Sequence, residues 1–218
     1  MAEFPAEPMS PSEFFERFLP KAFAETGFTE TLRALDVPLG VRLDGTAGGE
    51  WLLQVRGGSL RVEPGSRASA AFTVVQTVED WRGALWEGRG GAIGQHAAGV
   101  FRPGGSAASR IGELVGTSAA VLTQMQALAG LVRVSITGGE GGDWSLGVKL
   151  GPGEIPAEAT TSVSLRSEDA DAMARGDLNP LEAFMGGRIQ IAGDLTLLMQ
   201  IQAIQMQAAG APGPGRTG

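Results

Sequence analysis

Residues 48–58 read GGEWLLQVRGG, and residues 141–151 read GGDWSLGVKLG. Two glycines, an acid and a tryptophan lead each stretch. Leu and Val then alternate with small, polar or basic residues, the period of a strand with one face on a core. Trp51 and Trp144 stand 93 positions apart. At the same offset Val41 falls on Val134, Leu43 on Ile136, Gly45 on Gly138, Leu53 on Leu146, Val55 on Val148 and Phe72 on Leu165. Chance likeness between hairpins would give the glycine–acid–tryptophan match alone. An ungapped apolar register on both sides of it points to an internal duplication.

Working outward, SPSEFFERFLPKAF (10–23) predicts a helix. Ser10 caps it, Pro11 suits the first position, Glu13 completes a capping box, and Pro20 is expected to kink or end it. A short helix is expected near 29–35. Residues 39–43, EWLLQV, SLRVEP and SAAFTVV read as an antiparallel meander with a turn at Gly57-Gly58. Thr77 with Asp80 then caps VEDWRGALWEG. From Leu128 the order restarts, with LVRVSI, DWSLGVKL and TTSVSLR as strands and EDADAMARG as a helix.

The halves diverge afterwards. The first runs into a Gly/Ala/Ser-rich stretch at 88–110 that reads as loop or weak helix. In the second, Asn179 caps a helix that starts at Pro180, Gly186-Gly187 ends it, Arg188–Ile191 forms a strand, and Asp194 caps a last helix. The organisation expected is an N-terminal helical segment (1–28), a degenerate first half (29–110), a complete second half (111–207) and a flexible tail (208–218).

Composition narrows the function. The 218 residues carry 24 acids against 17 bases, a formal charge of −7 with no basic run, which argues against nucleic acid and anionic membrane. With no cysteine there is no disulfide framework, thiolate metal site or cysteine nucleophile. MAEFPAEPMS lacks the basic and apolar regions of a signal peptide, and no stretch reads as a membrane span. A soluble, cytoplasmic chain is the expectation.

GDLNPLEAFMGGRIQIAGDLTLLMQIQAI (176–204) resembles the C-terminal half of a sterol carrier protein type 2 domain. Gly176, Leu178, Pro180, Ala183, Phe184, Gly187, Ile189, Ile191, Gly193 and Asp194 carry the likeness, which is good over 128–207 and weaker over 29–87. The resemblance implies an α+β fold with helices over one face of a mostly antiparallel sheet and an apolar tunnel between them. With the duplication, it implies two related units packed as a pseudo-dimer. It also implies binding of a sterol, fatty acid, acyl-CoA or phospholipid without chemistry or cofactor. The chain departs from the family in being doubled and in ending Arg-Thr-Gly instead of a peroxisomal signal, which argues against peroxisomes.

The last helix supports a lipid wall independently. Leu195, Leu197, Leu198, Met199, Ile201, Ile204 and Met206 are apolar, Gln and Thr fill the rest, and no charge occurs from Leu195 to Gly215. Such a helix is expected to have both faces covered or one face on a cavity. Packing against the other half, or self-association into a homo-oligomer, accounts for the same texture. The expected lining is Phe184, Met185, Ile189, Ile191, Leu195, Leu198, Met199 and Ile201. The partners expected are a hydrophobic small molecule or lipid and, transiently, a membrane or a lipid enzyme.

Candidates for catalysis are few. His96, the only histidine, has no acid beside it in GQHAAG and reads as incidental. SEDAD (167–171) reads as a helix start favoured by the dipole, not as a metal site. GRGGAIG (88–94) lacks the third glycine of a dinucleotide loop. Trp81 and Trp86 read as core. The rival to a non-catalytic lipid carrier is an interaction module with a filled core, docking through its uncharged Gln/Met helices.

Overall fold

The computed structural model describes residues 3–26, 38–56, 59–65, 69–99, 124 and 126–210. The short helix expected near 29–35, the Gly57-Gly58 turn, residues 100–110 and the end of the tail lie outside the described residues. Helix α1 starts at Pro11–Glu13, passes through a π-helical turn at Phe14–Phe18 and continues as Leu19–Thr26. As expected, the Glu13 N–H donates to Ser10 Oγ at 3.3 Å. Pro20, however, neither ends nor breaks the helix. The widened turn, in which the Leu19 N–H reaches back to the Phe14 carbonyl, relaxes the chain where a proline ring would meet the carbonyl four residues before it.

Strands β1 (Leu39–Asp44), β2 (Gly49–Arg56), β3 (Ser59–Pro64) and β4 (Phe72–Thr77) lead into α2 (Val78–Arg82), which ends in a second π-helical turn, Gly83–Glu87. Helix α3 (Gly91–Gly99) follows, so part of the glycine-rich connection is helical. The second half contributes β5 (Gly130–Thr137), β6 (Trp144–Leu150), β7 (Thr161–Arg166), α4 (Ser167–Arg175), α5 (Pro180–Met185), β8 (Ile189–Gly193) and α6 (Leu195–Gly210). The caps read from sequence are present: Asp80 N–H to Thr77 Oγ1 at 2.9 Å, Leu181 N–H to Asn179 Oδ1 at 2.8 Å and Thr196 N–H to Asp194 Oδ1 at 2.8 Å.

All eight strands form one mixed sheet in the order β3-β2-β1-β4-β6-β5-β7-β8. This corrects the meander: β4 returns beside β1 and runs parallel to it, as β7 does beside β5. It also replaces two sheets packed as a pseudo-dimer by one sheet in which β4 and β6 join the halves edge to edge, Val74 opposite Val148. Two strand edges that would otherwise present unpaired N–H and C=O groups thereby satisfy each other.

The hairpin-plus-parallel-strand arrangement β1-β2-β4 recurs as β5-β6-β7. Leu43 pairs with Gln76 and Ile136 with Leu165, so Gln76, not Phe72, takes the place of Leu165. The offset drops from 93 to 89 before β4, because the connection ahead of β7 differs in length, and the hairpin register also shifts by two residues: Trp51 faces Val41, whereas Trp144 faces Ile136 and Val134 faces Leu146.

One sheet face carries Val41, Leu43, Trp51, Leu53, Ile136, Trp144 and Leu165, and the helices pack on it as a single main core. Arg42, Glu50, Arg61, Glu63, Ser135, Ser145 and Arg133 alternate onto the opposite face.

Candidate functional site

The two halves cover this face differently. In the first half Val41, Leu43, Trp51 and Leu53 are all buried, Val41 to 1% exposure. Phe14 and Phe15 of α1 seal them: Phe15 stacks on Trp51 at 4.9 Å, and the Trp51 indole N–H donates to Glu16 Oε1 at 2.9 Å. Phe4, Phe14, Phe18, Trp81 and Trp86 extend the cluster, mostly edge to face, as Trp81 and Trp86 were expected to do. The Trp86 N–H donates to the Pro5 carbonyl at 2.9 Å, which ties the N-terminal segment down. Among the described residues these rings pack directly against one another over the first half's strands.

Trp144 is sealed by other means. Its indole N–H donates to the Asp80 carbonyl at 3.0 Å, and the loop before α3 closes over its ring. Gly90 sits there at φ +77°, where a Cβ would stand 2.7 Å from Trp144 Cδ2. The glycines of GRGGAIG are thus a seat for a tryptophan, and Asp171 Oδ1 completes it by accepting the Ala92 N–H at 2.9 Å. Gly90→Ala is expected to cost about 2–4 kcal/mol, from a left-handed alanine plus overpacking, read as a lowered urea midpoint. The side chain of His96, on α3, lies outside the described residues.

Beyond Trp144 the face opens. Val74, Leu146, Val148, Val132, Val134, Val163, Ile189 and Ile191 are only half-buried, although they occupy interior strands and the edge strand β8. The register sets them side by side: Val74–Val148–Val132 in one row, Leu146–Val134–Val163–Ile191 in the next. At one end of the strands Trp144, Ile136 and Leu165 are buried with Ala170 of α4. At the other, buried Leu150 and Thr161 adjoin α6, whose Ile201 and Ile204 pack with Phe72 and Leu128. An apolar band therefore crosses β4, β6, β5, β7 and β8 between α4 and α6, half-covered. Besides apolar side chains and glycine, these strands place on it only Gln76 and Thr161, and the Thr161 hydroxyl donates to the Asp194 carbonyl at 2.6 Å.

The eight residues expected to line a ligand divide across this geometry. Ile189 and Ile191 lie on the band, paired with Leu165 and Val163. Leu198 and Ile201 are half-buried on α6. Phe184, Met185, Leu195 and Met199 are exposed, Met185 to 77% and Met199 to 68%. On α6 the buried Leu197 and Ile204 and the half-buried Ile201 form one stripe, and Leu195, Met199 and Met206 form another on the opposite side. The helix explains its missing charges by two apolar stripes. Val74, Val132, Val134, Leu146, Val148 and Val163 escaped the sequence reading. Their alternation in SAAFTVV, LVRVSI, DWSLGVKL and TTSVSLR assigned them to strands but carried no sign that the row is left half-covered.

At the upper edge Asp169, buried, meets Arg188 at 3.3 Å and fastens α4 to the turn after α5. Arg188→Ala is expected to destabilise by about 1–2 kcal/mol, since the carboxylate stays buried while its half-exposed partner is lost, checked by thermal unfolding.

Comparison with known proteins falls on this half. Residues 110–206 match the model of the SCP-2 sterol transfer family. Sterol carrier protein 2 of Rattus norvegicus is 32% identical over 74 residues, 32% of this chain and 14% of that protein. Hydroxysteroid dehydrogenase-like protein 2 of Danio rerio is 30% identical over 103 residues, 44% of this chain and 25% of that protein. The chain thus spans a quarter or less of the length of these curated relatives. The solution structure of the sterol carrier protein domain 2 of Helicoverpa armigera aligns at 24% identity over 42% of this chain and 76% of its own, with a TM-score of 0.30. The likeness to the SCP-2 sterol transfer family thus lies within residues 110–206, a little under half of this chain.

Proposed function

We propose that the chain binds and transfers a lipid or other hydrophobic molecule, without chemistry, on the half-covered apolar band of its second half. The observation that carries this reading is the contrast between matched positions: Val41 is sealed, whereas Val134, its counterpart, is half-open beside Leu146 and Val163. Half-buried valine and leucine on interior strands cost free energy that an acyl chain or ring system recovers, roughly 0.8 kcal/mol per methylene covered. A sterol, fatty acid, acyl-CoA or phospholipid offers such a body, and the family match at 110–206 supports the class. One histidine, no cysteine and a band without charge support a carrier over a catalyst.

The repeat of the β1-β2-β4 arrangement as β5-β6-β7, with tryptophan on both return strands, supports an internal duplication in which the first half became a filled, fixed neighbour of the second. Exchange would proceed by displacement of α6, whose buried stripe borders the band. Among the described residues no helix is long and apolar enough to cross a membrane.

Native mass spectrometry of the purified protein, with solvent extraction, tests the reading. A lipid at one copy per chain is expected. A mass that no alcohol, fatty acid, acyl-CoA or sterol shifts would remove the carrier role.

A further inference from the structure

We infer that Gln76 holds the head of the ligand and selects an uncharged hydrogen-bond donor, a hydroxyl or amide N–H, over a carboxylate or phosphate; this rests on the binding role proposed above. Gln76 is 7% exposed and stands on the apolar face where the halves meet, beside Leu43 of the sealed half and next to the position of Leu146 in the open one. Its Nε2 donates to the Ser145 carbonyl at 2.9 Å. Among the described residues its Oε1 has no hydrogen-bond partner, yet it is not among the fully occluded polar atoms. Buried polar atoms in folded proteins are ordinarily paired, so an open, unpaired amide oxygen at the end of an apolar band is an acceptor waiting for a donor.

The charges nearby argue for the same head. Among the described residues no cation lies on the band. Arg89 is held by Glu79 at 3.0 Å and faces Glu87 at 3.8 Å, and Arg188 is paired with Asp169. The Lys149 ammonium is on the opposite face, donating to the carbonyls of Gly151 and Pro152. Arg133 alternates onto that face too. An anionic head would be buried without a counter-charge and against the lone pairs of Oε1, whereas an alcohol or amide satisfies that oxygen at no charge cost.

Competition against a fluorescent hydrophobic probe at pH 8 tests this with hexadecan-1-ol, hexadecyl methyl ether and palmitate. The alcohol is expected to bind about tenfold tighter than the ether, the worth of one buried hydrogen bond, and tighter than ionised palmitate. In Gln76→Met the alcohol should fall to the level of the ether while the ether is unchanged. Equal binding of alcohol and ether by the unmutated protein, tightest binding of palmitate, or an equal loss of all three in Gln76→Met would overturn the assignment while leaving a carrier in place. Binding of none of the three would overturn the carrier reading and this inference with it. The comparison on the unmutated protein decides even if the variant is unstable.

Discussion

Val134→Trp is expected to fold and to lose binding of a hydrophobic probe. Val134 lies in the middle of the half-covered band, between Leu146 and Val163, and is itself only half-buried. An indole there would displace about four methylenes of a bound chain, which at ~0.8 kcal/mol each is about 3 kcal/mol, or roughly two hundredfold in Kd. The unfolding midpoint should move little, since filling half-open space is not overpacking. The paired control is Val41→Trp, at the counterpart position in the first half. Val41 is sealed under the aromatic cluster, so the same substitution should lower stability by about 3 kcal/mol or more. Chemical unfolding and probe titration on both variants check the pair. Undiminished binding in a folded Val134→Trp would place the ligand elsewhere or nowhere.

Phe15→Ala should cost the most stability of any single truncation considered, about 3–5 kcal/mol. Phe15 has no exposed surface, stacks on Trp51 and touches Trp81 at 5.8 Å between ring centroids. Its loss leaves a cavity and removes aromatic pairs worth roughly 0.5–1.5 kcal/mol each beyond area. Phe184→Ala makes the comparison: that ring is 43% exposed on α5 and should cost under about 1 kcal/mol. Urea unfolding followed by tryptophan emission separates the two, because Trp51 loses its stacking partner only in Phe15→Ala. Equal effects at the two positions would mean that the first half is not the rigid, self-filled unit described.

The two results bear on one asymmetry. Matched strands of the two halves put matched apolar residues on the same sheet face, yet the helices above them differ. In the first half α1 brings Phe14 and Phe15, and α2 brings Trp81 and Leu85. At the 89-residue offset the second half has Ala170 and Ala174 in place of Trp81 and Leu85, and Trp144 is closed by glycine loop instead of by a ring. Small residues on α4 leave the neighbouring rows Leu146–Val134–Val163–Ile191 and Val74–Val148–Val132 short of cover.

Much of this was legible in the residues. Period-two alternation located six of the eight strands to within one residue at each end, Ile189–Gly193 within two and Phe72–Thr77 within three, because a side chain's face is set by local backbone geometry. Ser10, Thr77, Asn179 and Asp194 announced their helices, since a cap is satisfied within three residues of itself. Trp51 and Trp144 announced that the strand pair occurs twice, and the resemblance read in 176–204 falls inside the stretch that matches the family model. What escaped depended on partners distant in sequence. Alternation is blind to strand order, so the parallel return of β4 beside β1, the β4–β6 seam and the drop in offset that puts Gln76 in the place of Leu165 were invisible. Which apolar rows are sealed and which stay half-open was equally hidden, because cover is supplied by side chains from other elements: Phe15 over Trp51, Gly90 over Trp144, and too little over Val134. Composition and period determined that this chain has an apolar sheet face, and only tertiary packing decided where that face is left half-covered.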